Sequence, residues 1–287
     1  MIIIFLYNFG PLKVGVTFNE SINKSLVKEL PSYYSHVATD DESANVDHMC
    51  HIDSWNLDAY QSEKEDVIIW NDNRVSIKTE RNVRIEAEYS DHLNCHLSVF
   101  EGNDYWENND RMRYWEFSQR ISLYPRLIKN NLILIHCATI VVDGKAHVFL
   151  GPSGAGKTTI ALKAQEAGYK VLSDDTCLLR WTDDHVTALS VPYISKSGIV
   201  GGPGEYEVKA IYILEQDKES AVGLLQKKYF ARAFQERIYE GQFWSHIFGL
   251  NTDVAIKILS FTLFVTRKYK PLIFYNSYES NLTEYIK

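Results

Sequence analysis

The run Gly151-Pro152-Ser153-Gly154-Ala155-Gly156-Lys157-Thr158 has the spacing G-x-x-x-x-G-K-[ST]. An apolar strand candidate, Ala146 to Leu150, precedes it, and a helix candidate from Lys157 to about Ala167 follows, which is the setting such a loop requires. Glycines let backbone approach phosphate oxygens closely, and successive N–H groups at a helix N-terminus offer partial positive charge. Lys157 can neutralise β- and γ-phosphate oxygens, and the Thr158 hydroxyl can ligate Mg²⁺. The implied chemistry is capture of a nucleoside triphosphate with Mg²⁺. The base stays open, since the loop reads phosphates alone.

Downstream, a strand from Lys170 to Leu172 delivers Ser173, Asp174 and Asp175 at its C-terminal end, where open α/β sheets place their ligands. One Asp there can hold Mg²⁺ and the other can take a proton from an attacking hydroxyl. The pair faces the loop if the two strands are neighbours. His136 follows the apolar run Leu132 to Ile135, where a lone His is more often a packed, hydrogen-bonded residue than a catalyst. Gly198, Gly201, Gly202 and Gly204 with Pro203 make a segment that could close over substrate as a lid or merely turn the chain. Lys209, and Arg232 and Arg237 on a helix from Lys227 to Tyr239, are candidates to receive a peptide carboxylate or a phosphate. His48, Cys50 and His51 lack a second ligand pair at zinc-finger spacing, which argues against a metal site.

These residues need a scaffold, and the patterning changes near residue 110. Before it, short alternating stretches predict a β-rich domain over residues 1–110: Ile2 to Leu6, Leu12 to Phe18, Val67 to Trp70, Val75 to Lys78, Val83 to Glu88 and His96 to Phe100. Asp72-Asn73 marks a turn, Thr39 to Asp47 an exposed loop, and Glu101 to Arg111 the connection to a second domain, residues 111–287. From Met112 to Lys129, Phe117, Ile121, Tyr124 and Ile128 fall on one helical face, with Pro125 expected to kink or split the helix. Gly168 is placed to stop the helix after the loop. Further strands are predicted at Val186 to Val191, Ala210 to Leu214 and Leu272 to Tyr275, with a helix over Asp253 to Lys268. The fold class is α/β, α+β overall, with a sheet flanked by helices in the larger domain.

Composition narrows the partners. The 287 residues carry a net charge of -7 and 45% hydrophobic side chains, so two cores can form without staples, and no global positive field invites nucleic acid. No apolar run is long enough to span a bilayer, and Cys50, Cys95, Cys137 and Cys177 form no CxxC pair. These features lead us to expect a cytoplasmic protein with reduced thiols, no membrane and no nucleic-acid partner. The oligomeric state is open, a homo-oligomer included.

The string from His136 through Gly144, Val148 to Thr159, and Ala167 to Asp175 resembles the catalytic domain of HPr kinase/phosphorylase over about forty residues in unbroken order. The resemblance implies a phosphoenolpyruvate-carboxykinase-like P-loop domain that uses ATP and Mg²⁺ to phosphorylate a protein serine. It further implies Asp174 as general base, Asp175 as a Mg²⁺ ligand beside Thr158, and His136 next to the reacting phosphate. Thr159 stands where the bifunctional enzymes have Glu, and the Arg- and Gly-rich signature that holds HPr has no counterpart between Pro192 and Val208. The chain is more similar to the HPr-kinase homologues found with lasso-peptide biosynthesis genes, which implies a precursor peptide ending in Ser as partner. The β-rich domain would then recognise the peptide. A nucleotide-hydrolysing switch and a small-metabolite kinase are the alternatives.

Overall fold

The computed structural model describes residues 3–19, 30, 32–35, 37–39, 45–56, 69–71, 74–78, 84–89, 94–100, 108–193, 197–241, 252–277 and 282–286. The chain forms two compact units, Met1–Lys129 and Asn130–Lys287.

The first unit is built on a seven-stranded sheet in the order β1-β2-β3-β7-β6-β5-β4. Its strands are β1 (Ile3–Phe9), β2 (Leu12–Phe18), β3 (His48–Asn56), β4 (Ile69–Asn71), β5 (Arg74–Lys78), β6 (Arg84–Tyr89) and β7 (Asn94–Phe100). Strand β3 was not expected. It runs parallel to both β2 and β7 through the centre of the sheet, and period-two alternation buries His48 and Cys50 while His51 stays part-exposed. The three residues therefore do not converge, and no group of three or more His, Cys, Asp or Glu among the described residues could hold a metal. The Asp72-Asn73 turn and much of the Thr39–Asp47 loop lie outside the described residues.

Helix α1 (Asn108–Lys129) belongs to this unit, so the division falls at 129/130 and not at 110. The reason is its buried polar side. The Tyr34 hydroxyl accepts from Trp115 Nε1 at 2.8 Å, Gln119 Oε1 accepts from the Tyr7 hydroxyl at 2.9 Å, and Ser122 Oγ pairs with His48 Nε2 at 2.8 Å. Residues 108–111 of the expected connection are the first turn of this helix, and residues 101–107 lie outside the described residues. Pro125 does not break α1. Its missing N–H frees the Ile121 carbonyl, which accepts instead from the Tyr89 hydroxyl at 2.6 Å.

In the second unit an eight-stranded sheet is organised around two long strands, β8 (Leu132–Val142) and β13 (Glu205–Gln216). Between them lies β9 (Lys145–Leu150), antiparallel to β8 and parallel to β13. On the other edge of β8 run β10 (Lys170–Ser173) and then β11 (Thr176–Trp181), both antiparallel to it. Strand β12 (Val186–Leu189) joins β11 to the start of β13, while β15 (Leu272–Asn276) runs parallel along Tyr212 to Gln216 of β13 and carries β14 (Ala221–Leu224) antiparallel on its outer edge. Helix α2 (Lys157–Glu166) packs Ile160, Ala161 and Ala164 on Ala138, Ile140, Phe149, Tyr212 and Phe274. It ends as expected: Gly168 at φ 81° lets its own N–H reach Gln165 O and the Tyr169 N–H reach Ala164 O. Helices α3 (Lys227–Gly241) and α4 (Thr252–Lys268) meet where the fully buried Phe234 and Phe261 rings pack edge to face at 5.5 Å.

Candidate functional site

The loop after β9 turns into α2 through Gly156 at φ 99°, a backbone conformation that favours glycine. Ala155 is drawn into the core below, while Pro152, Ser153 and Gly154 stay exposed. Gln216, at the end of β13, donates to the Gly154 carbonyl at 2.7 Å and ties the loop to the neighbouring parallel strand. Lys157 is buried, and its ammonium donates to the Gly151 and Pro152 carbonyls at 2.8 and 3.0 Å. A positive charge is thus stored inside the curve of the loop, where an anion could draw it out.

The acidic pair reaches this loop by a route the sequence did not suggest. Strands β10 and β9 are not neighbours, because β8 lies between them. The link is Cys137 of β8, which pairs with Leu150 on one side and donates its N–H to the Asp175 carbonyl on the other at 3.0 Å. Strands β10 and β11 form one line along β8, interrupted at Asp174-Asp175, with a register shift between Val171 and Ser173. Irregularities of this kind re-aim side chains next to them.

Asp174 is 4% exposed, and its Oδ2 accepts from Thr158 Oγ1 at 3.2 Å and from Ser197 Oγ at 2.7 Å, while Oδ1 has no hydrogen-bond partner. A buried carboxylate oxygen without a donor is costly in an apolar setting and suits a site completed by a cation or a hydroxyl. Asp175 is more open. Its Oδ1 lies 3.3 Å from His136 Nε2 and its Oδ2 accepts from Thr176 Oγ1 at 3.2 Å. His136 is therefore a β8 residue facing the acidic pair. Burial pushes the neighbouring Cys137 thiol well above its ordinary pKa, with the nearby Lys157 charge opposing that shift.

The other sequence candidates fare differently. Thr159 follows Thr158 in the first turn of α2 and is part-buried. Lys209 lies near the start of β13, beside the level of Ala146 and His147, several residues before the strand end that meets the loop, so the fold does not bring it to the acidic pair. Arg232 donates to Glu236 one turn on at 2.9 Å, and the buried Arg237 has Glu236 at 3.6 Å. The glycine-rich segment is anchored along much of its length: Gly201 packs on the Leu172 carbonyl, and Lys170 donates to Pro203 O and to the Tyr206 hydroxyl.

Two residues were missed. Ser197 belongs to no motif, and only tertiary proximity reveals it. Asn276, 6% exposed with an unpartnered Oδ1, closes β15 with its amide against Gly156. Its signal in the sequence was its place just after the strand predicted at Leu272 to Tyr275, at the kind of strand end where α/β sheets hold ligands.

Fold and site together define a mixed α/β domain in which a glycine-rich strand-to-helix loop faces a buried carboxylate. The chain belongs to the family described as "SynChlorMet cassette protein ScmC", whose profile matches residues 106–261, more than half of the sequence. Among solved structures it is weakly similar to the HPr(Ser) kinase/phosphatase from Coxiella burnetii, at 15% identity and a TM-score of 0.26, over 32% of this chain and 77% of that one. No curated protein matches the sequence. Among the described residues no helix is long and apolar enough to cross a membrane.

Proposed function

We propose that this chain is an ATP- and Mg²⁺-dependent kinase acting on a Ser or Thr hydroxyl of a peptide, with the C-terminal Ser of a lasso-type precursor as the preferred acceptor. The observation that carries the reading is the buried Asp174 carboxylate hydrogen-bonded to Thr158, the residue that follows the loop lysine. Phosphoryl transfer asks little of the protein beyond alignment and charge balance, and these residues supply both. Loop N–H groups and Lys157 hold the donor phosphates, Lys157 exchanging the Gly151 and Pro152 carbonyls for phosphate oxygens. Asp174 takes the proton of the attacking hydroxyl, and His136 stands beside the acidic pair. The hard oxygen donors of Thr158 and Asp175 fit Mg²⁺, which when bound neutralises charge on the donor phosphates. Peptide recognition is assigned to the first unit.

The test is to incubate the full chain with Mg-ATP and, in parallel, a precursor peptide ending in Ser, the same peptide ending in Ala, its C-terminal amide, and HPr. Phosphate should appear on the Ser peptide and be reduced by amidation. Asp174→Asn should keep nucleotide affinity within a few-fold while slowing transfer by roughly 10²–10⁴. Phosphorylation of HPr alone, or equal modification of the Ser and Ala peptides, overturns the acceptor. ATP turnover with no phosphorylated product means a switch, and a phosphorylated small molecule means a metabolite kinase.

A further inference from the structure

Ser197 stands where an acceptor would stand. Its Oγ donates to Asp174 Oδ2 at 2.7 Å, the relation that a substrate hydroxyl must have with its general base. The same oxygen accepts from Thr158 Oγ1, so the two hydroxyls are separated by only two hydrogen bonds across one carboxylate oxygen. Thr158 lies in the first turn of α2, at the helix end where phosphates bind, which puts Ser197 Oγ within the neighbourhood of a terminal phosphate held by the loop. Ser197 is also exposed, and the Gly198 that follows it has φ 78° and open space around its α-carbon. Three residues further on, Gly201 is fixed against the Leu172 carbonyl. The serine is thus held on a short tether whose far end is packed on the strand that carries Asp174.

We propose that Ser197 is an internal phosphoryl acceptor, phosphorylated by its own chain from a bound nucleoside triphosphate. The inference rests on the kinase reading above and names a substrate of that same site. Ser197 Oγ attacks the γ-phosphorus as its proton passes to Asp174, the Oγ–P bond forms, and the bond from the γ-phosphorus to the bridging oxygen breaks. Nucleoside diphosphate leaves with that oxygen's electron pair. The product carries about two negative charges, no longer donates a hydrogen bond, and is repelled by Asp174 and Asp175. Phosphorylation would therefore release Ser197 from the base and open its place to an external hydroxyl.

Two measurements test this. In the first, the full chain is given Mg-ATP without peptide, and intact mass and fragment mapping are followed. The expected result is at most one phosphate per chain, on Ser197, gained at a rate independent of protein concentration and absent from Ser197→Ala and Lys157→Ala. The second needs no nucleotide: Ser197→Cys is alkylated with a small thiol reagent, the four native cysteines being buried. A thiol beside the Asp174 carboxylate is held protonated and reacts slowly, so adding Asp174→Asn should speed alkylation by about threefold or more. An unmodified Ser197 in a preparation that phosphorylates an added peptide ending in Ser overturns the inference and leaves the kinase reading standing. Absence of transfer to either acceptor overturns both. Equal alkylation rates with and without Asp174→Asn show that Ser197 is not held at the base, and overturn the inference even where some phosphate is found.

Discussion

Gly201→Ala isolates the contact between the glycine-rich segment and the strand that carries the acidic pair. A Cβ built on Gly201 lies 2.0 Å from the Leu172 carbonyl oxygen, 2.9 Å from its carbonyl carbon and 2.8 Å from Ser190 Cβ. Relief requires movement of more than about 1 Å, and β10 cannot supply it: Leu172 is 1% exposed and its strand is laddered to β8. The segment itself must give way, carrying Ser197 with it. Overpacking of this size costs about 1–3 kcal/mol, which for a unit of this length lowers Tm by roughly 2–12 °C. The effect on transfer to Ser197 is larger in proportion, since a misplacement of the acceptor by about 1 Å can slow its reaction by about 10²-fold. The control is Gly144→Ala, at φ 73° with nothing within 4 Å of the new methyl, in the turn between β8 and β9. It should lower Tm through backbone strain and leave transfer unchanged. Calorimetric melts and single-turnover rates with Mg-ATP at 25 °C read the two effects separately. A Gly201→Ala protein with wild-type Tm refutes the packing argument. One with lowered Tm and an undiminished rate of Ser197 phosphorylation refutes the claim that this segment positions Ser197.

Lys157→Ala should abolish transfer at saturating ATP by removing charge from the donor, whereas Thr158→Ala should raise the Mg²⁺ requirement and recover in part at high Mg²⁺; a magnesium titration of both variants separates them. The buried His147 has a pKa pushed down to about 4 by burial and by the Lys209 charge. It is neutral when folded and titrates near 6.5 when unfolded, so the unfolded state takes up the proton first. Stability is therefore whole above about pH 6.5 and falls by about 3 kcal/mol as pH drops through 4. Urea melts between pH 7 and 4 should lose this acid sensitivity in His147→Gln, and an unchanged pH dependence would sink the assignment.

Local chemistry was legible in the sequence, and tertiary chemistry was not. The loop, helix α2 and its Gly168 stop are contiguous in the chain, so spacing sufficed to find them. Strands with apolar alternation were placed within a few residues. Helix α1 was found, but its sheet-facing side was hidden, because Gln119 and Ser122 look solvent-facing until their partners Tyr7 and His48 are known. Pro125 misled for the same reason: the Tyr89 hydroxyl that satisfies Ile121 lies 32 residues away. Strand β3 was obscured by its polar residues, and Ser197 by the absence of any motif. The nearness of Asp174 to Thr158 was expected, although the neighbouring strands supposed to create it are separated by β8.

The register shift between Val171 and Ser173 has a bearing on how this family can change. The additional residue is Leu172: Ser173 faces Thr139 and Thr176 faces His136 in one register, and only Lys170 and Val171 are out of step with it. A one-residue deletion at Leu172 would make the Val171–Ile140 and Ser173–Thr139 pairs consecutive and leave Ser173, Asp174 and Asp175 opposite the same β8 residues, on the faces they already occupy. Such a shortened chain would gain regular pairing, keep its carboxylates, and lose instead the Leu172 carbonyl on which Gly201 packs. A change of chain length at 171–173 thus reaches the site through Gly201 and the segment that carries Ser197, not through the facing of the acidic pair.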